Sequence, residues 1–255
     1  MTLEVLQFPC LGDNYGFLIH DVETGQTGAI DTPEAALIDQ ALEAKGWQLD
    51  YILNTHHHFD HAGGNEALKE RWGCTVVGAA NDAARIPGID VKVSQDDIVA
   101  IGNSEAVVLE VPGHTSGHIA YYFADDGIAF VGDTLFALGC GRLFEGTPDQ
   151  MWNSLQKLMA LPGETIVYCA HEYTQANAAF ALSVDPNNPD LQERVREIDA
   201  LRAQNKPTVP TTIARELASN PFLRPHSDLL QQELDLEGSD LVTVFAETRR
   251  RKDNF

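Results

Sequence analysis

Positive charge is what this sequence has least of. Against 38 Asp and Glu stand only 17 Lys and Arg, and the 255 residues carry a formal charge of −21 at pH 7. A nucleic-acid partner demands a basic face, so that class is excluded. Anionic small molecules are repelled as well, unless cations gather at one place. Long apolar runs are missing too: none approaches the roughly 20 residues of a membrane span, so no membrane partner is expected. The start, Met1-Thr2-Leu3-Glu4-Val5, shows no basic stretch ahead of an apolar one, and no secretory signal is read there. Cysteine is sparse. Cys10, Cys74, Cys140 and Cys169 stand far apart without a CxxC pair, which suits reduced thiols in a cytoplasm rather than a disulfide frame. No repeat of solenoid length is present.

What the sequence does have is Thr55-His56-His57-His58-Phe59-Asp60-His61. Tyr51-Ile52-Leu53-Asn54 before it reads as a short buried strand, so the cluster sits in a loop at a strand's carboxyl end, where open α/β sheets place ligands. Alternate side chains of an extended segment point the same way, so His56 and His58 converge on one ion. Asp60 and His61 lie where the chain turns and serve a second, and one loop feeding two ions suggests a dinuclear hydrolytic site. His57 points away, as a neighbour of the ligands or a solvated residue. A surface His run is the bland alternative, but such tracts lack placed carboxylates.

The rest of the chain supplies further donors in the same way. Residues 3–8 and 16–20 read as strands around a turn at 11–15. A strand end at 28–31, a helix at 34–45 with Gly46 as its stop, the strand before the His cluster, a helix at 66–72 ending at Gly73 and a strand at 74–77 follow in βαβ order, so parallel pairing is expected. Residues 81–104 are Asp-rich and read as loops. A strand at 106–111 ends in Pro112-Gly113-His114, one at 128–131 ends in Gly132-Asp133 after a hairpin turn at 125–127, and one at 165–169 ends in Ala170-His171. Pro148 opens a helix that runs to about 161. Each remote donor alone is more often a structural His or a Gly-Asp turn; seven ligand-type residues just past strand ends are hard to reach by accident. From about Tyr173 strand patterns stop. Helices are read at 175–183, 190–204, 212–218, 228–235 and 239–251, with Ser227 and Ser239 as N-caps. The expected division is 1–172 for a catalytic domain and 173–255 for a helical, substrate-binding one.

The pattern Thr55-His56-x-His58-x-Asp60-His61 with His114, Asp133 and His171 resembles the metallo-β-lactamase superfamily. That resemblance implies an α+β fold: an αββα sandwich with metals at one edge, here with a helical C-terminal domain. Narrower segments are similar to glyoxalase II, the hydroxyacylglutathione hydrolases: residues 11–15, 112–118, 132–136, 139–147, 171–174, 219–224 and the ending Arg249-Arg250-Arg251-Lys252-Asp253. By this resemblance His56, His58 and His114 hold one metal, Asp60, His61 and His171 the other, and Asp133 bridges them. It also implies zinc first, with iron or manganese possible, Asp60 and Asp133 as catalytic carboxylates, and glutathione contacts at Arg142, Phe144, Tyr173, Arg249 and Lys252. Phe144 stands where some relatives carry Tyr, which leaves it a packing or backbone role. Arg249 and Lys252 are three apart and share a helix face, with Arg250 and Arg251 pointing elsewhere; a cationic helix end is the plainer account of that run. His118 either orients a ligand or packs.

A cytoplasmic monomer is expected, and the resemblance implies that it hydrolyses S-D-lactoylglutathione, or a related 2-hydroxyacyl thioester, to the acid and glutathione, using hydroxide made at a dinuclear centre in the second step of methylglyoxal detoxification. A glutathione persulfide dioxygenase or another hydrolase of the same fold is the alternative.

Overall fold

A computed structural model describes residues 3–255; Met1 and Thr2, the first residues of the stretch searched for a signal, lie outside them. The chain divides into two compact units, residues 3–110 with 115–132, and residues 111–114 with 133–255.

In the first unit, β1 (Leu3–Cys10) and β2 (Asn14–Asp21) form a hairpin paired from Leu3–Asp21 to Cys10–Asn14. β3 (Thr27–Ile30) extends it antiparallel. Then come α1 (Ala35–Lys45), β4 (Tyr51–Leu53), α2 (Phe59–Ala62), α3 (Asn65–Trp72) and β5 (Thr75–Ala79). β3, β4 and β5 pair in parallel, as the βαβ order predicts. Gly46 and Gly73 close α1 and α3 at φ +69° and +68°, the left-handed cap that glycine takes without strain. Residues 81–104 are less irregular than their composition suggests. They hold β6 (Val91–Val93), parallel to β5, and β7 (Ile98–Ile101), antiparallel to β8 (Ser104–Glu110). Both are too short for their alternation to rise above the surrounding Asp, and pairing with a neighbouring backbone supplies what the pattern lacks. β9 (Ile119–Phe123) and β10 (Ile128–Gly132) complete the unit as a hairpin beside β8.

Two sheets result, β1 to β6 in order and, in this unit, β7-β8-β9-β10. They face each other: the Phe17 ring meets Phe130 edge-on at 5.6 Å, and the Tyr121 hydroxyl donates to the Asn54 carbonyl at 3.0 Å. A Cβ on Gly28 would meet Ile101 at 3.1 Å, so the sheets approach closely there. α1 and α3 cover the outer face of the first sheet with Ile38, Leu42 and Leu68 on Leu18, Ile52 and Val76. Each such side chain contributes about 1.5–3 kcal/mol by leaving water. The layering is helix, sheet, sheet, an α+β arrangement.

The second unit holds β11 (Leu135–Phe136) and β12 (Gly139–Cys140), a small hairpin invisible to sequence pattern, then α4 (Pro148–Met159) and β13 (Ile166–Cys169). Thr147 and Gln150 cap α4 reciprocally, with Pro148 in its first turn. The helical end follows: α5 (Thr174–Val184), α6 (Pro189–Arg202), β14 (Thr211–Thr212) against β13, α7 (Ile213–Ser219), α8 (Asp228–Leu234) and α9 (Leu241–Asp253). Ser227 caps α8 as expected. Ser239 does not cap α9; Asp240 does, its Oδ1 accepting from the Thr243 N–H at 3.0 Å. Both residue types cap, and the decision falls to the residue lying three before a helical N–H with an extended backbone, φ −65° and ψ 155° at Asp240.

Candidate metal centre

The His cluster lies where β4 runs out. Asn54 N–H still donates to Val77 O, and Thr55 O accepts from Ile119 N–H, so the loop is tied to both sheets before the first His. α2 then turns the chain: the His61 and Ala62 N–H groups bond back to His58 O at 2.9 Å. His56 Nε2 and His58 Nδ1 come within 3.0 Å, and His61 Nε2 stands 3.6 Å from Asp60 Oδ2.

Behind these donors lies Asp31, which sequence reasoning passed over as a strand end. It sits at φ +57° just past β3. Its carboxylate accepts from Thr55 N–H and Thr55 Oγ1, both at 2.7 Å, and from His61 Nδ1 at 2.8 Å. Because the Thr55 hydroxyl gives its proton to Asp31, it must accept at 3.1 Å from His56 Nδ1. The Nδ1 protons of His56 and His61 are therefore spoken for, and each ring presents an Nε2 lone pair. That is how metal-binding imidazoles are fixed by their second neighbours. Asn14 Nδ2 donates to Asp60 Oδ2 at 3.1 Å and holds that carboxylate. His118 stacks on His56 with centroids 4.6 Å apart. His57 turns away to Asp82 Oδ2 at 3.0 Å.

The second unit carries the other three donors. His114 follows β8, Asp133 follows β10 and His171 follows β13. Asp133 stands between the two imidazoles: its Oδ2 is 3.4 Å from His114 Nε2 and its Oδ1 is 3.4 Å from His171 Nε2. His114 Nδ1 donates to Arg142 O at 2.9 Å, so its Nε2 also carries a lone pair, here facing a carboxylate. Two facing lone pairs repel unless a cation lies between them. Donors on one tetrahedral ion at about 2.0–2.1 Å stand roughly 3.3–3.4 Å apart, the spacing seen around Asp133. The residues therefore fit a metal. Candidate donors gather within each unit: His56, His58, Asp60 and His61 in the first, and His114, Asp133 and His171 in the second. Imidazole and carboxylate with no thiolate suit a divalent ion with an open position rather than a closed structural site.

The expected substrate contacts all belong to this unit. Phe144 is 62% exposed and meets His114 edge-on at 5.1 Å. The Tyr173 ring lies flat on His171, centroids 4.6 Å apart. Arg142 is exposed, with Nε 3.9 Å from Asp253 Oδ1. Arg249 is 5% exposed and engaged with protein: Cys140 O at 2.9 Å, Asp253 Oδ1 at 2.9 Å and the Phe222 ring at 5.1 Å. Lys252 Nζ bonds Ala176 O at 3.2 Å. Burial, then Arg249 and Arg142, push its pKa down. Arg250 and Arg251 turn to Glu247. The thiols are free and buried, and burial pushes Cys140 up to about 11 and Cys169 up to about 12, so neither is a nucleophile near neutral pH.

Residues 22–171 match the family model of the metallo-beta-lactamase superfamily, and residues 172–255 match that of the hydroxyacylglutathione hydrolase C-terminus. The hydroxyacylglutathione hydrolase of Maricaulis maris (strain MCS10) is 57% identical over 253 residues, 99% of each chain. That of Chelativorans sp. (strain BNC1) is 55% identical over the whole of both chains. Among solved structures, ETHE1 from Myxococcus xanthus superposes with a TM-score of 0.68 at 27% identity, covering all of both chains. The metallo-β-lactamase fold and the helical end are both confirmed, and the chain belongs to the hydroxyacylglutathione hydrolase family, a branch of the metallo-beta-lactamase superfamily whose members are hydrolases.

Proposed function

We propose that this enzyme hydrolyses the thioester of a 2-hydroxyacylglutathione, S-D-lactoylglutathione foremost, releasing the 2-hydroxy acid and glutathione in the second step of methylglyoxal detoxification. The observation that carries the reading is Asp133, its two oxygens each 3.4 Å from the Nε2 of a different His, in a chain whose full-length relatives are named for that activity. The centre would take two divalent ions, zinc first: His56, His58 and His114 would hold one, Asp60, His61 and His171 the other, and Asp133 would serve both. Imidazole and carboxylate donors without a thiolate support ions of this kind. When bound, such ions lower the pKa of water and polarise a carbonyl oxygen.

The protein's own side chains do the rest. Asp60, steadied by Asn14, orients the attacking water. Asp31 keeps the His61 lone pair aimed inward. Phe144 and Tyr173 flank His114 and His171 and narrow the approach of the acyl group. Arg142 and Lys252 gather positive charge for the glutathione carboxylates on a chain of strong opposite sign, and Arg249 supports that patch from below. The leaving thiolate needs no acid, because a thiol's pKa is only about 8.5. In this reading residues 1–172 carry the chemistry together with Arg142 and Phe144, and 173–255 supply the remaining glutathione contacts. On the same reading the enzyme works as a monomer in the cytoplasm, a reducing compartment in which its four cysteines would stay free, as they are here.

The test is hydrolysis of S-D-lactoylglutathione with and without a chelator, beside metal analysis. Fast, chelator-sensitive turnover with two ions per chain is expected. Intact metal without turnover sinks the substrate. Oxygen uptake with glutathione persulfide then tests the dioxygenase alternative, which identities of 54–57% to hydrolases disfavour.

A further inference from the structure

The hairpin β11–β12 follows the shared carboxylate by one residue, and its backbone is held almost entirely by side chains from the helical region. Asn220 Nδ2 donates to Phe136 O at 3.2 Å and to Gly139 O at 3.0 Å. Asn177 Nδ2 donates to Ala137 O at 3.1 Å. Leu138 N–H donates to Glu216 Oε2 at 2.8 Å, and Arg249 Nη1 donates to Cys140 O at 2.9 Å. Five consecutive residues thus each give one backbone group to one of four buried side chains. Two of those side chains are joined: Glu216 Oε2 also accepts from Asn220 at 3.0 Å, and its Oε1 accepts from Thr211 Oγ1 at 2.7 Å. Glu216 and Asn220 are wholly buried.

The hairpin needs this help. Two strands of two residues make a ladder too short to stand alone, and Leu138 at its tip takes φ +58°. Both ends of the hairpin carry metal-site geometry. Asp133 and Thr134 lead in. Gly141 and Arg142 lead out, with Gly141 N–H bonded to Thr134 O at 3.3 Å and Arg142 O fixing the His114 tautomer at 2.9 Å. Gly141 runs so close that a Cβ there would lie 2.0 Å from Asp133 O. A shift of the hairpin therefore moves the Asp133 carboxylate and the His114 ring together.

We propose that Asn177, Glu216, Asn220 and Arg249 form a buried polar clamp that positions Asp133 and His114 through the backbone of residues 136–140. They are positioning residues; none touches the reacting atoms by this route. The inference rests on the metal-site reading above, and deepens it: the helical region sets the metal ligands as well as holding substrate.

The experiment uses full-length protein stripped of metal. Zinc affinity is measured by competition with a chromophoric chelator, apo-protein stability by thermal unfolding, and kcat and KM with S-D-lactoylglutathione. Asn177→Ala removes one clamp bond and leaves its helix intact; Asn220→Ala removes two. Each is expected to weaken zinc binding about tenfold or more, the effect of losing a partner that orients a metal ligand, and to lower kcat with KM within about twofold. Glu216→Gln, which keeps the shape and the acceptor for Leu138 N–H, is expected to stay near wild type. Ser227→Ala, a cap lost on α8, is the control for stability loss alone and leaves zinc affinity unchanged. If Asn177→Ala and Asn220→Ala lower the apo unfolding temperature yet bind zinc as wild type does, the clamp is only structural and the proposal is overturned. If Asn220→Ala does not fold, Asn177→Ala decides. Wild-type protein that binds zinc but leaves the thioester intact removes the substrate reading, and the clamp is still judged by zinc affinity.

Discussion

At the scale of single residues, the candidate donors stood out because they gather in the stretches that follow strands and because carboxylates stand among the imidazoles. Asp31 and Asn14 were not. A lone Asp past a strand reads as a turn, and only the fold puts its carboxylate on Thr55 and His61. Asp31→Asn keeps a residue that accepts positive φ but removes the charge behind His61. Zinc affinity is expected to fall 10- to 100-fold, read by chelator competition; unchanged affinity would strip Asp31 of its orienting role. Asp133→Ala should empty both metal positions, and retention of two ions by elemental analysis would end the shared-carboxylate assignment. Gly141→Ala is expected to cost about 1–3 kcal/mol by overpacking and to disturb metal content, because its Cβ has nowhere to go. Gly12→Ala, with nothing within 4 Å, is the matched control and should unfold as wild type does.

At the scale of elements, long periodic segments read well, and the short apolar strands β3 and β4 were read with them, but several other short strands were not. α1, α4 and the C-terminal helices announce themselves by apolar spacing and by Gly46, Thr147, Pro148 and Ser227 at their ends. β6, β7 and the hairpin β11–β12 have two to four residues each. They exist because neighbouring backbone or buried side chains complete their hydrogen bonds, which no local pattern records. The α9 cap separates two adjacent candidates by a single measurement. Asp240→Ala should cost about 1 kcal/mol, and Ser239→Ala less than about 0.5 kcal/mol, in urea unfolding. The reverse order would return the cap to Ser239.

At the scale of the molecule, proton linkage sets the limits of stability at both ends of the pH range. Burial pushes Cys10 up to about 12, and Cys74 and Cys140 up to about 11. In the unfolded chain these thiols ionise near pH 8.5. Above that the unfolded state binds fewer protons, so stability falls as pH rises from about 8.5 towards 11. Iodoacetamide at about pH 8.5 should label them slowly in the native protein and fast in urea; equal rates would contradict their burial. On the acid side, hydrogen bonds from Arg250 and then Arg251 hold Glu247 down to about 2. Its contribution is present above the ordinary carboxylate range and lost as pH falls towards about 2. Being partly exposed, it is small and weakens with salt. Glu247→Gln should lower the unfolding temperature at about pH 6 and leave it unchanged at about pH 2; an equal drop at both would reject the ion pair as its source.

The clamp on β11–β12 also bears on how the chain matures. A ribosome makes residues 135–140 well before Asn177, Glu216, Asn220 and Arg249. Until the last of these emerges, the carbonyls beside the shared carboxylate lack their partners. If the clamp positions the site as proposed, a nascent polypeptide that already carries all seven candidate donors does not yet present them, metal loading waits for the end of translation, and a product truncated before Asn220 binds metal poorly.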